Sequence, residues 1–509
     1  MSHLNPQDAL ISFLKTIHYL KTLPLATLEK LASQCETTYI NSGDTLIKQG
    51  SKGDGLYIVQ SGFLRAIKER DGKEDEILGD IHRGELIGEL ALFTSSPRAA
   101  TVIAIRDSVL WKISEASFTV FLQENPTHMM PIVKAVILRI LHPKKSEKSK
   151  YATLALAPAG QRAFDKKITS KIIEQFVLFH QARSSHADDE HPRMLHLHSD
   201  LMKARFPDIN WQQATPEILF KSSVIDWLNE QEETYQYVIY ETDTVYSAWT
   251  ALCLRQADKI ILIGESDDSP ELGIIEQHIF NSSSKNRAHI DLVLLHDKKT
   301  LMPRDTARWL KERYVDVHHV KKGVLKDIQR VVRLVSGEGI VLVLGGGGAK
   351  GGAHLGVYKA FCELGVPIDR VCGTSMGSIM GALIAMDLPL DQMVERINKY
   401  VIYNKKLHDY TLPFVSLLSG MGWLTALERL FGKSVCIEDL WKNFFCITSN
   451  FTLRKMDVLK RGLLYLAIRA SVSLPGVLPP ISNEHNELLI DGGIFNNIPV
   501  DVMRSVAAP

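Results

Sequence analysis

One serine lies in a pattern that can turn its hydroxyl into a nucleophile. The stretch VCGTSMGSIMGALIA reads as a short strand, a tight turn and a helix, with Ser375 at the turn between Gly373 and Gly377. A G-x-S-x-G turn of this kind lifts the hydroxyl clear of the backbone, where it can attack a carbonyl carbon. Many serines before helices only cap them, so the pattern predicts acyl chemistry only if a base and an anion-binding group accompany it.

A glycine-rich loop, LGGGGAKGGAHLG, precedes this serine by one strand–helix–strand crossover. Its glycines match the dinucleotide-binding pattern G-x-G-x-x-G, and Asp369 follows at about the right distance to contact a ribose. Alternatively, the backbone N–H groups of Gly346, Gly347 and Gly348 form an oxyanion hole beside a helix N-terminus. Ser375 follows Gly348 by 27 residues, so both fall at the carboxyl ends of adjacent parallel strands, and this favours the oxyanion hole.

The histidines that follow the serine do not offer a convincing base. Hydrolases of the α/β class have the chain order serine, acid, histidine. Only His408 and His485 come after Ser375; the first lies in a Tyr- and Leu-rich stretch, and the second lies in the polar turn SNEHNE. Neither follows a convincing strand-end acid, so the sequence does not predict a triad.

An aspartate at a predicted strand end is the better base. In LLIDGGIFNNIPV, Asp491 ends an apolar strand, and Gly492 and Gly493 let the backbone turn tightly. Such a carboxylate can point at a serine on a neighbouring strand, whereas the alternative is an ordinary Asp-Gly turn. We therefore predict a Ser–Asp dyad in which Asp491 takes the proton of Ser375.

A second group of residues, in the segment GELIGELALFTSSPRAATV, can hold a phosphate and a ribose. A helical turn that begins with Gly88, Glu89 and Leu90 can direct free N–H groups at an anion. Glu89 can also accept a hydrogen bond from a ribose hydroxyl. Arg98 can pair with a phosphate as a planar two-pronged donor, and Ala99 leaves room for the ligand. The alternative is a sheet edge in which Arg98 caps a helix or pairs with Glu89.

The elements that must position these residues change in type along the chain. Short β-branched and aromatic runs occupy residues 38–113, helical periodicity extends to about residue 141, and buried strands then alternate with helices. We predict a multidomain protein with an N-terminal β-roll and flanking helices (1–142), a linker (143–150), a middle α/β Rossmann-like domain without a phosphate loop (151–335) and a C-terminal α/β domain with a mainly parallel sheet (336–509).

Composition narrows the possible partners. The 509 residues contain 59 Lys and Arg against 58 Asp and Glu, a formal charge of +1, which argues against nucleic acid as a partner. Six scattered cysteines without a C-x-x-C pair favour reduced thiols. Since we find no signal peptide and no run of roughly 18 apolar residues, we expect a cytoplasmic protein with any membrane contact at the surface. We predict no metal site.

The order of glycine loop, G-x-S-x-G and D-G-G resembles that of the patatin-like phospholipase family, as does the stretch RASVSLPGVLPP. The middle stretch YVIYETD…WTALCLRQADKIILIGE resembles the neuropathy target esterase branch of that family. This resemblance covers nearly the whole chain. It implies a patatin-like C-terminal domain and a serine esterase for lysophospholipids or phospholipids, with no cofactor for catalysis. The supporting residues of these motifs are Lys350, Gly351, Gly373, Gly377, Gly492 and Gly493.

The segment around Arg98, together with GDGLYIVQSG, resembles cyclic-nucleotide-binding domains over about residues 10–125. By that pattern Glu89 holds the ribose 2′-OH and Arg98 the cyclic phosphate. Family members that prefer cyclic GMP often carry Thr directly after the arginine. Because this chain has Ala99 there, cyclic AMP is the expected regulatory ligand.

Two departures from the family pattern bear on activity. Lys350 stands where many members carry arginine, so the charge is kept and the rigid guanidinium fork is lost. The chain stops 18 residues after Asp491, where members usually continue, so a C-terminal truncation that uncovers a sheet edge is expected. The alternative function is a catalytically inactive binding protein that responds to cyclic nucleotide.

Overall fold

The structure is a computed structural model of the 509-residue chain. It describes residues 6–17, 20, 24–70, 75–89, 91, 96–124, 152–162, 166–181, 194–211, 214–215, 223–281 and 289–507. The predicted linker, residues 143–150, and the end of the helical stretch predicted to about residue 141 lie outside this described part.

The N-terminal domain is a β-roll with helices beside it. Its described strands are β1 (Glu36–Ile40), β2 (Thr45–Ile47), β3 (Gly55–Ser61), β4 (Leu64–Lys68), β5 (Glu76–Ile81), β6 (Leu86–Ile87), β7 (Thr101–Ala104) and β8 (Ser108–Ser114). They form two antiparallel sheets, with the orders β1-β8-β3-β6 and β2-β7-β4-β5. The helices are α1 (Pro6–Thr16), α2 (Leu25–Ser33) and α3 (Glu115–Glu124). Apolar residues such as Leu14, Leu56 and Phe121 are buried between helices and sheet, as the periodicity predicted.

The middle domain contains a parallel sheet. Its described strands are β9 (Ala152–Pro158), β10 (Met194–His198), β11 (Tyr237–Glu241), β12 (Lys259–Glu265), β13 (His289–His296) and β14 (Asp316–Lys321), in the order β10-β11-β9-β12-β13-β14. The helices are α4 (Lys166–Gln181), α5 (Ser199–Arg205), α6 (Ser223–Thr234), α7 (Ala248–Gln256), α8 (Ile274–Asn281), α9 (Thr306–Trp309) and α10 (Leu325–Val335). Strands buried on both faces explain the continuous apolar runs, and the predicted parallel α/β domain is confirmed.

By residue contacts the chain forms two compact units. The first comprises residues 1–157, 186–261 and 274–289, and the second comprises residues 158–185, 262–273 and 290–509. The candidate hydrolase residues all belong to the second unit, and the predicted nucleotide-binding residues all belong to the first.

The C-terminal domain holds the serine turn and the D-G-G strand end. Its described strands are β15 (Val341–Leu344), β16 (Arg370–Thr374), β17 (Asn443–Asn450), β18 (Lys455–Leu459), β19 (Ile481–Ser482) and β20 (Leu488–Asp491). Its helices are α11 (Ala353–Glu363), α12 (Met376–Ala385), α13 (Leu390–Ile397), α14 (Met421–Phe431), α15 (Leu464–Ser471) and α16 (Val500–Ala507). Helix α12 is buried along nearly its whole length, which explains why it is apolar on every face.

The sheet of this domain is mixed, which corrects the prediction of a mainly parallel sheet. The pairs β15–β16 and β16–β17 are parallel, whereas β17–β18, β17–β20 and β19–β20 are antiparallel. Only residues 451–454 separate β17 from β18. A connection that short can return the chain only antiparallel, because a parallel return needs a crossover of about a dozen residues or more.

Strands β16 and β20 meet end to end on one edge of β17. Strand β18 pairs with β17 over residues 446–450, so it takes one edge. On the other edge β16 pairs up to Ile447, opposite Thr374, and β20 pairs from the far end down to Thr448, opposite Asp491. The two strands therefore run toward each other and end at neighbouring positions of the same template strand. This brings the residue after Thr374 next to Asp491.

Candidate active site

The turn at Ser375 has the strained backbone of a nucleophile elbow. Its φ of 53° and ψ of −126° are unusual for a residue with a side chain, and such strain is found where a fold holds it in place. The two flanking glycines permit this turn. A Cβ atom at Gly373 would lie 2.2 Å from the Gly377 carbonyl oxygen, and one at Gly377 would lie 2.2 Å from the Leu344 carbonyl oxygen. Only glycine fits where these segments cross.

A serine that the sequence did not single out fixes this turn. The backbone N–H of Ser375 donates to Ser471 Oγ at 2.9 Å, and the Ser471 hydroxyl donates to the Ile447 carbonyl oxygen at 2.7 Å. Ser471 is buried at the end of α15. It ties the elbow to the template strand β17. Its signal in the sequence is a polar residue inside the stretch RASVSLPG.

The carboxylate of Asp491 accepts the hydroxyl of Ser375. The Ser375 Oγ to Asp491 Oδ2 distance is 2.6 Å, and the N–H of Gly493 donates to the other carboxylate oxygen at 2.8 Å. Asp491 is 5% exposed, and its own N–H donates to the Ser473 carbonyl oxygen. Burial raises the pKa of Asp491, although the hydrogen bonds from Ser375 and Gly493 act in the opposite direction. A raised pKa makes this carboxylate a stronger base than an exposed aspartate.

The glycine loop lies against the serine. A Cβ atom at Gly346 would lie 2.9 Å from Ser375 Cβ, so the loop backbone and the elbow are in direct contact. The N–H of Gly346 donates to Asn497 Oδ1 at 3.0 Å. Gly347 and Gly348, by contrast, open a 3₁₀ turn (Gly348–Gly352), where the first N–H groups have no partner within the turn.

The remaining motif residues have simpler roles. Gly351 is packed so closely against Met376 that a Cβ atom would lie 2.1 Å from its side chain, and Lys350 is exposed beside it. Gly492 lies under the strand end, where a Cβ atom would lie 2.2 Å from the Ile447 carbonyl oxygen. The Nε2–H of His354 donates to the Gly345 carbonyl oxygen at 2.9 Å, so this histidine supports the loop backbone.

The alternatives weighed from the sequence find little support. Asp369, the candidate ribose ligand of a dinucleotide site, forms a two-pronged ion pair with Arg333 at 2.7 and 2.9 Å. His408 and His485 are both exposed; the first stacks on Tyr410 and the second contacts Glu484. Among the described residues, no cluster of three or more potential metal ligands contains Asp491.

Arg98, the predicted phosphate-binding residue, belongs to the first unit, where it is buried and hydrogen-bonded. Arg98 is 4% exposed and donates to Asp54 Oδ1 at 2.9 Å, to the Gly55 carbonyl oxygen at 2.7 Å and to the Gly88 carbonyl oxygen at 2.8 Å. Gly88 has a φ of 87°, and a Cβ atom there would lie 2.0 Å from Arg98 Nη1. The sequence analysis missed Asp54, although it lies within GDGLYIVQSG.

The other predicted nucleotide-binding residues surround this arginine in sequence. Glu89 is buried directly after Gly88, and Ala99 is exposed directly after Arg98. Leu90 lies outside the described residues. Burial favours a higher pKa for Asp54, but Lys112 and Arg98 together hold that pKa below its ordinary value. Asp54 is therefore an ionised partner of Arg98.

Family models match three stretches of the chain. The model described as "Patatin-like phospholipase" matches residues 342–504. The model described as "Neuropathy Target Esterase family P-loop like domain" matches residues 213–334, in a sequence that lacks G-x-x-x-x-G-K-[ST]. The model described as "Cyclic nucleotide-binding domain" matches residues 37–125. The mixed-sheet domain with its serine turn and D-G-G strand end is thus a patatin-like domain.

Relatives of known name match almost the whole chain. It is 32% identical over 524 residues to patatin-like phospholipase domain-containing protein 6 of Homo sapiens, covering 92% of this chain and 37% of that protein. It is 30% identical over 533 residues to neuropathy target esterase sws of Drosophila melanogaster, covering 94% and 36%. The chain belongs to the neuropathy target esterase branch of the patatin-like phospholipases. It spans a little over a third of the length of these relatives.

Solved structures match about a quarter of the chain. The regulatory domain of Toxoplasma gondii PKA, co-crystallised with cAMP, is 29% identical with a TM-score of 0.24, over 26% of this chain and 49% of that one. Across the described residues, no helix has the length and apolar character needed to cross a bilayer.

Proposed function

We propose that this chain is a serine esterase that hydrolyses carboxylic esters of lysophospholipids or phospholipids, with Ser375 as nucleophile and Asp491 as base. One observation carries the proposal: a serine in a strained elbow donates to a buried carboxylate at 2.6 Å. An ordinary helix-capping serine has no need of a strained backbone or of a buried carboxylate from a strand 116 residues away. Membership of the branch supports a lipid ester as the substrate.

The first half of the reaction forms an acyl-enzyme. Asp491 takes the hydroxyl proton as Ser375 Oγ attacks the ester carbonyl carbon, and the carbonyl π bond opens to an oxyanion. In this proposal the N–H groups of Gly347 and Gly348, at the start of the 3₁₀ turn, stabilise the oxyanion, and Gly346 joins them only when its N–H leaves Asn497. The bond to the glycerol oxygen then breaks, and the leaving oxygen takes the proton from Asp491.

The second half releases the fatty acid. Water replaces the departed alcohol and gives a proton to Asp491 as its oxygen attacks the acyl carbon. The bond to Ser375 Oγ breaks, Oγ recovers the proton, and the free acid leaves. Burial raises the pKa of Asp491, so its carboxylate binds a proton more readily than that of an exposed aspartate. This favours the proton transfer from Ser375 in the first half and from water in the second.

We further propose that the N-terminal domain binds cyclic AMP through Arg98 and thereby regulates the esterase. The support is a buried arginine that sits beside a glycine turn with a φ of 87° and precedes the small residue Ala99. A cytoplasmic location with peripheral membrane contact follows as a proposal, since all six cysteines are free.

The test is release of fatty acid from lysophosphatidylcholine by the purified full chain, with and without cyclic AMP. The variant Ser375→Ala should abolish release, and Ser482→Ala, at an exposed strand position, should not. Equal release by Ser375→Ala and the unmodified chain would exclude the proposed nucleophile. A folded chain that binds cyclic AMP and never releases fatty acid would instead support the catalytically inactive binding protein.

A further inference from the structure

A loop of the C-terminal domain presents large apolar side chains to solvent. This apolar loop comprises residues 409–419, between α13 and α14. Phe414 is 90% exposed, and Tyr410, Leu412 and Val415 are between 68% and 75% exposed. Contiguous exposed apolar side chains in a soluble domain usually mark a surface that binds something.

The apolar loop is held in one conformation by its own hydrogen bonds. The N–H of Thr411 donates to the Leu417 carbonyl oxygen at 3.0 Å, and the N–H of Ser419 donates to the Asp409 carbonyl oxygen at 2.9 Å. The Asp409 carboxylate accepts hydrogen bonds from the Ser419 hydroxyl and from the N–H of Gly422, in the first turn of α14. The tip is therefore exposed on an ordered base, and little conformational entropy remains to be lost when the tip is covered.

The base of the apolar loop is joined to the segment that supports the candidate base. The N–H groups of Leu417 and Leu418 donate to the carbonyl oxygens of Gly476 and Val477 at 2.9 and 3.0 Å. These two residues belong to the segment 473–480, whose first carbonyl accepts the N–H of Asp491. The buried Arg469 donates to Ser473 and Pro479 near the two ends of this segment. A rigid connection therefore runs from the exposed tip to the dyad.

Exposed apolar residues also lie close in sequence to Ser473 and Asp491. Leu474 follows Ser473 directly and is 47% exposed, and Phe495 and Ile498, shortly after Asp491, are 51% and 60% exposed. Exposed apolar side chains this near to Asp491 in sequence suit a substrate with acyl chains.

Basic residues precede the apolar loop in the sequence. Between residues 399 and 421 the exposed lysines are Lys399, Lys405 and Lys406, and the one acidic residue, Asp409, holds the loop. The formal charge of this stretch is 3 − 1 = +2. Apolar tips beside exposed lysines are typical of protein surfaces that lie on anionic lipids, because the side chains enter the boundary layer while the ammonium groups stay with the headgroups.

We propose that the apolar loop docks the enzyme on an anionic lipid surface, with Leu412, Phe414 and Val415 inserted below the headgroups. The choice of a lipid surface over a protein partner rests on the proposed function together with the lysines. Docking by this loop sets the dyad beside the membrane, so an ester can pass from the bilayer to Ser375 along Leu474 and Phe495 without crossing water.

The test measures binding without turnover. The full chain carrying Ser375→Ala is sedimented with phosphatidylcholine vesicles, with and without added phosphatidylserine. Addition of Phe414→Ser should weaken vesicle binding about tenfold. The matched control is Tyr314→Ser, since Tyr314 is an aromatic residue that is 91% exposed in the same unit, and binding should stay within about twofold.

The lysines supply a second measurement. The pair Lys405→Gln and Lys406→Gln should remove only the gain that phosphatidylserine gives, by about fivefold per lysine, and the exposed Lys311→Gln should leave it unchanged. Unchanged vesicle binding in Phe414→Ser overturns the inference. So does a self-association of the chain that Phe414→Ser abolishes without any vesicle binding.

A water-soluble ester separates this inference from the proposed function. With the Ser375 hydroxyl present, Phe414→Ser should cleave p-nitrophenyl butyrate like the unmodified chain, because a soluble substrate needs no membrane. Loop-dependent vesicle binding without any esterase activity would retain the docking surface and refute the esterase. Esterase activity together with vesicle binding that Phe414→Ser does not weaken would retain the esterase and refute the docking surface.

Discussion

The two candidate sites differ in how far neighbouring groups compensate their buried charge. Asp491 is a buried carboxylate whose partners are the Ser375 hydroxyl and the N–H of Gly493, and no described cation lowers its pKa. Arg98 is a buried cation whose charge is already matched by Asp54 and by two backbone carbonyl oxygens. The first site is ready to take a proton, whereas the second must exchange partners before it accepts a phosphate.

This difference follows from the chemistry each site is proposed to perform. A base that must remove a proton gains from a poorly compensated negative charge, since this raises its pKa. A phosphate-binding cation gains from a partner that orients it and balances its charge until the ligand arrives. The fold therefore leaves the carboxylate of Asp491 poorly compensated, which lowers the free energy of unfolding, and compensates the charge of Arg98.

The largest expected effect comes from Asp491→Asn. We expect hydrolysis of lysophosphatidylcholine to fall about 10⁴-fold, because the amide cannot take the proton of Ser375. Burial raises the pKa of Asp491, so its ionised form is less favourable in the folded than in the unfolded chain at neutral pH. The free energy of unfolding should therefore rise by about 1 kcal/mol at pH 7, measured by urea titration.

The control for this variant is Asp501→Asn. Asp501 is exposed and bonded to Asn496, and its loss should leave hydrolysis unchanged. An Asp491→Asn protein that is folded, active and less stable would reverse our view of the dyad, because the carboxylate would then be structural.

The next largest effect is expected on cyclic AMP binding when Arg98, the compensated cation, is replaced. We expect Arg98→Gln to weaken cyclic AMP binding about a hundredfold, since a buried charged donor to the phosphate is lost. Isothermal titration calorimetry measures the change. Arg65→Gln is the matched control, because Arg65 also pairs with an aspartate of this domain, Asp80, and it should bind cyclic AMP normally. Equal losses in both variants would mean that the domain, rather than Arg98, was disturbed.

A smaller effect is expected at the residue that holds the elbow. Ser471→Ala removes the acceptor of the Ser375 N–H, so we expect kcat to fall about tenfold with KM nearly unchanged, because the nucleophile loses its orientation. Ser505→Ala removes an ordinary helical hydroxyl bond in the same domain and should change neither constant. A change confined to KM would assign Ser471 to substrate binding instead.

The two sites should also differ in their response to acid. Because burial raises the pKa of Asp491, kcat/KM should fall about tenfold per pH unit below a midpoint that lies above the ordinary value of 3.8. The pKa of Asp54 is lowered, so cyclic AMP binding should stay constant through that same range. A pH series of both measurements on one preparation checks this. Parallel losses would point to unfolding instead.

The smallest effect concerns the choice of nucleotide. Ala99→Thr adds one hydroxyl beside the proposed phosphate site, and we expect it to raise the affinity for cyclic GMP about threefold while that for cyclic AMP changes less. Competition binding with both nucleotides measures the ratio. If cyclic GMP already binds better than cyclic AMP in the unmodified chain, the expectation drawn from Ala99 is wrong.

Short local patterns in the sequence predicted most residues of the candidate site. The elbow glycines flank Ser375 within five residues, and Asp491 with its two glycines is equally compact, so short motifs identified both. The β-roll and the parallel middle sheet were also accessible, because their alternation and buried runs repeat at a fixed period.

The supporting contacts between distant segments were not accessible. Ser471, Asn497 and Asp54 each bond to a site residue far away in the sequence, and a hydrogen bond of that kind leaves no periodic trace. The direction of β20 was missed for the same reason. Whether a strand joins a sheet parallel or antiparallel depends on how its connection crosses the fold, and residues 460–487 give no single signal for that.

The end-to-end meeting of β16 and β20 on β17 has a consequence for the order of folding. The strand and the helix on either side of Ser375 are neighbours in sequence, whereas Asp491 reaches this serine only when β20 docks on β17, 116 residues further along. Contacts of such sequence separation form late, because the chain between them must first be ordered. If the proposed function is correct, a chain folded only this far carries the nucleophile without its base. We therefore expect ester hydrolysis to begin only when β20 docks, so that the appearance of activity during refolding marks the completed fold.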